Sequence, residues 1–260
     1  MHRYILISFL CALALRVEAR VEISRAIVDV PDVTTAISLA SELDGRKGEP
    51  IPEGLNWFEI TRGTLPVIVT APHATRPFRE GEYRFADGGA TGALAATLHA
   101  ICGITAVYTT YDSLSGPNFY DDNEFKASLA ELITEVQPAL LLDIHASHPY
   151  RPYDVDLGTM KGASVLGDAL LVPALADSFA KQGILGISLD WFPASRNRTV
   201  IKFASARGVP SVQLELSKTR MNPGADDLAA HRYAQVIEAL VALLSKRQLC
   251  TRTQTNDIGR

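Results

Sequence analysis

The chain has 260 residues, of which 47% are hydrophobic and 21% are charged, with a formal net charge of −4 and a pI near 5.9. This length suits one sizeable domain, and the composition is that of an ordinary globular protein. The acidic balance argues against a nucleic-acid-binding protein, and no cluster of lysine and arginine marks a membrane-binding surface. A small-molecule or peptide substrate is the expected partner.

The first 19 residues have the pattern of a secretory signal peptide. A basic start that includes Arg3 precedes an apolar run from Tyr4 to Leu15, and small residues follow up to Ala19. The run is too short for a comfortable membrane span, so no stable membrane anchor is expected. We therefore predict cleavage of residues 1–19 and a periplasmic or secreted mature protein. The alternative is a buried N-terminal strand.

The rest of the chain is expected to form a single domain over residues 20–250, followed by a disordered tail at residues 251–260 that has almost no apolar residues. Cys11 lies within the predicted signal peptide, so Cys102 and Cys250 remain in the mature chain. They could pair in an oxidising compartment. Cys102 lies in an apolar helical pattern, which favours a small core residue.

Short apolar strands alternate with helical patterns along the domain. The predicted strands are LPVIVTA (65–71), ITAVYTT (104–110), ALLLDI (139–144) and SVQLELS (211–217). The predicted helices are GALAATLHAIC (92–102), NEFKASLAELITEV (123–136), DALLVPALADSFAKQG (168–183) and DDLAAHRYAQVIEALVALLSK (226–246). A proline in the third of these is expected to introduce a kink. This alternation predicts an α/β sheet covered by helices on both faces, with ligands bound beyond the carboxyl ends of the strands.

Polar side chains gather where these strands end. His73 follows the first strand, and His145 follows the apolar part of the third. A sheet would hold both imidazoles rigidly, and zinc takes imidazole nitrogen and carboxylate oxygen as ligands. Each histidine alone is more often a hydrogen-bonded structural residue, but together at two strand ends they predict a zinc site.

The third zinc ligand has several candidates, which are Glu80, Glu82, Asp87 and His148. Asp87 is favoured because Gly88 and Gly89 follow it and permit a sharp turn inward. The alternative role for Asp87 is the N-cap of the next helix.

Glu215 interrupts the apolar strand SVQLELS and is the predicted general base. Burial in such a strand disfavours the charged carboxylate and raises its pKa towards neutrality, where a base works best. The alternative is an edge strand whose glutamate faces water. Asp143 is a candidate for orienting a histidine ligand.

Several segments together resemble the N-formylglutamate amidohydrolase family. They are APHATRP (71–77), DGGATGALAATL (87–98), GPNFYDDNEFK (116–126), DIHAS (143–147) and VPSVQLELS (209–217). The resemblance implies an α/β three-layer sandwich with a mixed, mostly parallel central sheet flanked by helices, similar to the zinc carboxypeptidases. It also implies a metal-dependent hydrolase of an amide bond beside a carboxylate.

Carried over by position, the resemblance assigns His73 and His145 as metal ligands and Glu215 as the general base. Arg198 is expected to hold a substrate carboxylate through two parallel hydrogen bonds. Asn118 and Arg76 are assigned to substrate binding with it. Arg76 stands three residues after His73, where the zinc carboxypeptidases have a glutamate ligand, so another residue must complete the metal site.

The sequence therefore predicts a zinc-dependent amide hydrolase that acts on N-acyl amino acids or peptides with a carboxylate near the scissile bond. The alternative is an exported binding protein that uses the same cleft for a carboxylated ligand or a metal without turnover. No GxSxG, phosphate-binding loop or dinucleotide-binding GxGxxG occurs, which argues against a serine hydrolase and against nucleotide enzymes.

Overall fold

The computed structural model describes residues 25–252, so the predicted signal peptide and residues 253–260 of the predicted tail lie outside the described part. The α-helices are, in chain order, α1 (Val30–Gly45), α2 (Gly89–Cys102), α3 (Glu124–Val136), α4 (Leu171–Lys181), α5 (Val200–Ser205) and α6 (Asp227–Lys246). The β-strands are β1 (Phe58–Thr61), β2 (Leu65–Ala71), β3 (Phe78–Arg79), β4 (Glu82–Tyr83), β5 (Ile104–Thr109), β6 (Leu140–Ser147), β7 (Val155–Gly158), β8 (Ile187–Leu189) and β9 (Ser211–Ser217).

A seven-stranded sheet organises the domain, with strand order β1-β5-β2-β6-β9-β7-β8. The four central strands β5, β2, β6 and β9 are parallel. At one edge β1 runs antiparallel to β5, and at the other β7 runs antiparallel to β9 and parallel to β8. Helices cover both faces, so the predicted mixed, mostly parallel α/β sandwich is confirmed.

The two faces of the sheet have different partners. One face packs with apolar residues of α1, α2, α4 and α6, and the other packs with apolar residues of α3 and α5. Along β6, Leu140, Leu142 and Ile144 belong to the first core, whereas Leu141 belongs to the second. Because side chains alternate along a strand, Asp143 and His145 share the face of Leu141. The candidate functional side chains of β6 therefore lie on the side of the sheet covered by α3 and the short α5.

The chain order places a crevice between β2 and β6. From β2 the chain crosses through α2 to β5 on one side, and then through α3 to β6 on the other side. Ligands bind at such a switch point, beyond the carboxyl ends of the strands. His73 and His145 lie at this point.

Most predicted elements occur where the sequence placed them, with two informative differences. Strand β6 continues to Ser147, so His145 is part of the strand and does not follow it. Helix α4 begins at Leu171, so Pro173 lies in its first turn. Backbone N–H groups in the first turn have no partner within the helix, so the missing N–H of proline breaks no hydrogen bond there and does not require a kink.

Cys102 and Cys250 form a disulfide that joins the end of α2 to the residues after α6. Cys102 lies in the buried core as expected, but it is paired with Cys250 and is not a free thiol. Helix α2 ends at this point, with Gly103 in the left-handed conformation. The segment after α6 is also tied to it by a hydrogen bond from the backbone N–H of Thr251 to the carbonyl of Cys102 at 3.1 Å. Among residues 25–252, no helix is both long enough and apolar enough to cross a membrane.

Candidate metal centre and catalytic site

His73, Asp87 and His145 form one group at the carboxyl ends of β2 and β6. One potential ligand atom from each residue lies within 4.8 Å of the others. Asp87 Oδ2 is 2.8 Å from His145 Nδ1 and 3.8 Å from His73 Nδ1, and the two imidazole rings meet edge to face with their centroids 5.0 Å apart. Two imidazoles and one carboxylate are a donor set that suits zinc, with a coordination position left for water or substrate.

Asp87 reaches this group because of the turn that precedes α2. Its backbone N–H donates to the carbonyl of His73 at 2.8 Å, which ties the two segments together. Gly88 has a φ of 109°, which L-residues rarely adopt, and it lets the chain turn directly after Asp87. Asp87 is not the N-cap of α2, because that position is Gly88. The side chain of Asp44 on α1 accepts the backbone N–H of Gly89 at the start of the helix, at 2.7 Å. Asp87 is thus available to the histidines.

The other candidates for a third ligand lie outside the group. Glu80 and Glu82 both pair with Arg84 on the exposed β3–β4 hairpin. His148 is exposed, and its Nδ1 accepts the backbone N–H of Tyr150 at 3.4 Å. Asp87 is the carboxylate that the fold brings to the two histidines.

The ring of His145 is held from the side that faces away from Asp87. Its Nε2 lies 3.1 Å from Asp143 Oδ2, and Thr70 on β2 donates to the other oxygen of Asp143 at 2.6 Å. Asn118 Nδ2 is 2.9 Å from the same ring nitrogen, while Asn118 Oδ1 accepts the backbone N–H of Val200 at 2.7 Å. A carboxylate behind a histidine in this way fixes ring orientation and makes the other nitrogen a better ligand.

The two histidines have opposite electrostatic environments. Burial lowers the pKa of His73 to about 4, against a smaller raising effect of Asp87, so its imidazole is neutral at pH 7. Burial also disfavours the charged form of His145, but Asp143 and Asp87 outweigh it and raise its pKa well above the ordinary value. The carboxylates around His145 therefore favour a positive charge at this point, as a metal ion would provide.

Glu215 lies on β9, directly beside His145 on β6 in the parallel register. It is 8% exposed, and burial raises its pKa from 4.5 to about 7. Gln213, two residues earlier on the same face, donates to Glu215 Oε1 at 2.9 Å, and Arg151 Nη1 is 3.9 Å from Oε2. The water-facing edge strand considered as an alternative is wrong, because β9 is an internal strand between β6 and β7.

The structure separates the predicted substrate-binding residues. Asn118 lies at His145, with both ends of its amide engaged by protein atoms. Arg76 pairs with Asp112, to which its Nε donates at 2.9 Å. Arg198 is exposed and pairs with Asp121 at 3.3 Å. The substrate-binding roles of these residues stay predictions.

Two residues near the site were not anticipated. Lys126 of α3 is fully buried, and its ammonium group donates to Asp121 at 2.7 Å and to the carbonyl of Arg198. Arg151, after β6, reaches towards Glu215. A buried lysine on the apolar side of an amphipathic helix was a detectable signal, whereas nothing local marks Arg151.

One solved structure supports the fold, and two others align with lower TM-scores. The chain is similar to the N-formylglutamate amidohydrolase from Ralstonia eutropha JMP134, with a TM-score of 0.54 and 13% identity over 75% of this chain and 100% of that one. A metallo-carboxypeptidase from Pseudomonas aeruginosa aligns with a TM-score of 0.47 and 11% identity over 73% of this chain and 60% of that one. A bacteriophage poly-gamma-glutamate hydrolase aligns with a TM-score of 0.44 and 15% identity over 73% and 90%.

The predicted likeness in fold to N-formylglutamate amidohydrolase is confirmed by the first of these similarities. No family model matches the sequence, and no curated protein matches it.

Proposed function

We propose that this protein is a zinc-dependent hydrolase of amide bonds, acting on N-acyl amino acids or peptides that carry a carboxylate near the scissile bond. One observation supports it above the others, namely that the His73–Asp87–His145 group lies beside Glu215, a buried carboxyl whose pKa is raised to about 7. The similarity in fold to an N-formylglutamate amidohydrolase agrees with this proposal.

His73, Asp87 and His145 would hold the metal. Bound zinc would supply a Lewis acid that polarises the amide carbonyl and makes water more acidic. Asp143 keeps the His145 ring in its orientation through its contact with Nε2. Thr70 in turn holds Asp143, because its hydroxyl donates a hydrogen bond to the other carboxylate oxygen.

Glu215 acts as the proton carrier in this proposal. It takes the proton of the attacking water and delivers it to the leaving nitrogen, which breaks the C–N bond as an amine departs. A base with a pKa near the working pH can both accept and release that proton, and Gln213 holds one carboxylate oxygen in place. Export through the predicted signal peptide, followed by action in the periplasm or outside the cell, completes the proposal.

The first test is metal content by elemental mass spectrometry on the purified protein, with the variants His73→Ala and His145→Ala. About one zinc per chain in the wild type, lost in both variants, is expected. His231→Ala provides the matched control, because His231 is exposed on α6 and makes no part of the group. Metal that is absent, or that is indifferent to both histidines, contradicts the proposal.

The second test is hydrolysis of a panel of N-acyl amino acids and short peptides by wild type and Glu215→Gln. The variant is expected to keep its zinc and to lose activity by several orders of magnitude, because the amide cannot accept the proton. Glu131→Gln, at an exposed position of α3, is the control. A Glu215→Gln variant with full activity contradicts the mechanism, and a zinc protein that leaves the whole panel intact would indicate the binding protein.

A further inference from the structure

Arg151 lies on the side of Glu215 that is formed by the loop after β6. Its side chain is 29% exposed, and Nη1 is 3.9 Å from Glu215 Oε2, which is beyond hydrogen-bond distance. The same nitrogen donates to the phenol oxygen of Tyr153 at 3.0 Å. Among residues 25–252, the guanidinium group of Arg151 makes this one hydrogen bond, although it has five N–H donors.

The guanidinium of Arg151 lies against two aromatic rings. Its Cζ lies 5.2 Å from the centroid of the Trp191 ring and 5.6 Å from that of Phe192. Trp191 also meets Tyr153 edge to face at 5.6 Å. Rings against a guanidinium fix its plane and leave its N–H groups directed in that plane.

Two carboxylates, Asp156 and Asp190, hold the turn that presents the two rings. Asp156 on β7 is fully buried and accepts the backbone N–H groups of Trp191 at 3.1 Å and Phe192 at 2.8 Å. Asp190, with a φ of 55°, accepts the backbone and hydroxyl of Thr159, each at 2.7 Å. This turn holds Trp191 and Phe192 in place although they are 54% and 41% exposed.

Arg151 differs from Arg76 and Arg198, the two arginines that the sequence analysis assigned to substrate binding. Arg76 and Arg198 each donate directly to a protein carboxylate, Asp112 and Asp121 respectively. Arg151 has no carboxylate within hydrogen-bond distance among the described residues, yet it lies beside the predicted catalytic glutamate. A guanidinium with free in-plane donors matches a carboxylate through two parallel hydrogen bonds.

We propose that Arg151, Trp191 and Phe192 form a subsite that binds the carboxylate of a substrate together with an adjoining apolar or planar group. The subsite deepens the proposed function, and rests on it for the position of the scissile bond next to Glu215. The guanidinium takes the carboxylate, and the two exposed rings contact the side chain that adjoins it.

Direct binding tests the subsite without any need for turnover. Isothermal titration calorimetry on the purified protein would compare 3-phenylpropanoate with 3-phenylpropanamide, which differ in the carboxylate alone. Wild type is expected to bind the carboxylate about 10- to 100-fold more tightly, the range of a charge-assisted hydrogen-bonded contact. Arg151→Met is expected to remove this preference, and Trp191→Ala is expected to weaken both ligands.

The matched control is Arg207→Met. Arg207 also lies over an aromatic ring, at 3.5 Å from the Phe203 centroid, but it precedes β9 and lies at the opposite end of that strand from Glu215. It is expected to keep the wild-type preference. An unchanged melting temperature and circular dichroism spectrum show that each variant is folded. Equal affinities of wild type for the two ligands, or an undiminished preference in folded Arg151→Met, would overturn the subsite.

Kinetics separate the subsite from a role of Arg151 in the reaction itself. On an N-acyl-phenylalanine and its carboxamide, Arg151→Met is expected to lower kcat/KM about 100-fold for the acid, mainly through KM, and little for the carboxamide. An equal loss on both substrates would assign Arg151 to the transition state and overturn carboxylate binding. If neither substrate is hydrolysed, the proposed function fails, while a carboxylate preference that is lost in Arg151→Met still supports the subsite.

Discussion

The buried carboxyl of Glu215 makes the stability of the metal-free protein depend on pH. Burial raises its pKa from 4.5 to about 7. A shift of this size corresponds to about 3 kcal/mol of differential interaction between the protonated and ionised forms. In the unfolded chain the carboxyl has its ordinary pKa.

The sign follows from proton binding. Between pH 4.5 and 7 the folded protein keeps a proton on Glu215 that the unfolded chain has released. The stabilising contribution of Glu215 to the free energy of unfolding is therefore fully present below pH 4.5, falls as the pH rises, and is lost above about pH 7. Glu215→Gln lacks the ionisation, so its stability relative to wild type is expected to increase by about 3 kcal/mol from pH 4.5 to pH 8.

Urea unfolding in the presence of a chelator measures this difference at pH 4.5, 5.5, 7 and 8. The difference between variant and wild type cancels the contribution of titrating groups that are not coupled to Glu215. The charges of His145 and Asp87 act on Glu215, so their coupling to it is part of the measured difference. Glu131→Gln, at an exposed site, is expected to give a difference that does not change with pH. A pH-independent difference for Glu215→Gln as well would refute the claim that burial destabilises its charge. Bound zinc is expected to reduce the effect, because a nearby cation favours the ionised carboxylate.

Three further predictions concern the framework of the site. Replacing Cys102 and Cys250 by serine is expected to lower the free energy of unfolding, measured in urea, by up to about 5 kcal/mol, because the disulfide closes a loop with a sequence separation of 148 residues. A loss below about 1 kcal/mol would contradict this, and a reductant is expected to destabilise the wild type but not the serine variant. Thr70→Val removes the hydroxyl that holds Asp143 and is expected to weaken zinc binding about 10- to 100-fold against a competing chelator, whereas unchanged affinity would show that Asp143 needs no such support. Lys126→Met is expected to cost about 1–3 kcal/mol in thermal or urea unfolding, since Lys126 is buried and donates two hydrogen bonds, and a neutral result would mean that its desolvation cancels them.

The central part of the fold could be predicted because its signals are local. β2, β9 and α6 are long enough for apolar runs or helical periodicity to define them, and Asp226 caps α6 where its first turn was expected. The edge strands β1 and β8 and the short internal strand β7 were missed, since three or four residues carry too little periodicity to distinguish a strand from a loop.

The candidate site was predictable as far as strand ends determine it. His73 and His145 follow from the rule that parallel strands present their carboxyl ends together. The environment of Arg151 was not predictable, because Arg151 lies in the loop between β6 and β7, and these strands meet the β9 strand of Glu215 only in the completed sheet. Likewise Asp121, whose carboxylate pairs with Arg198, is 77 residues away in the chain, so this ion pair depends on the completed fold.

The disulfide has a consequence for a protein exposed to proteases. A single cut anywhere between Cys102 and Cys250 leaves two fragments that remain covalently joined. The stretch so protected includes His145 and Glu215, whereas His73 and Asp87 stay with the fragment that carries Cys102. A nick in the exposed loop around Asp121 would thus leave the proposed metal ligands and the proposed base in one covalently joined molecule, and the break would become visible only on a reducing gel.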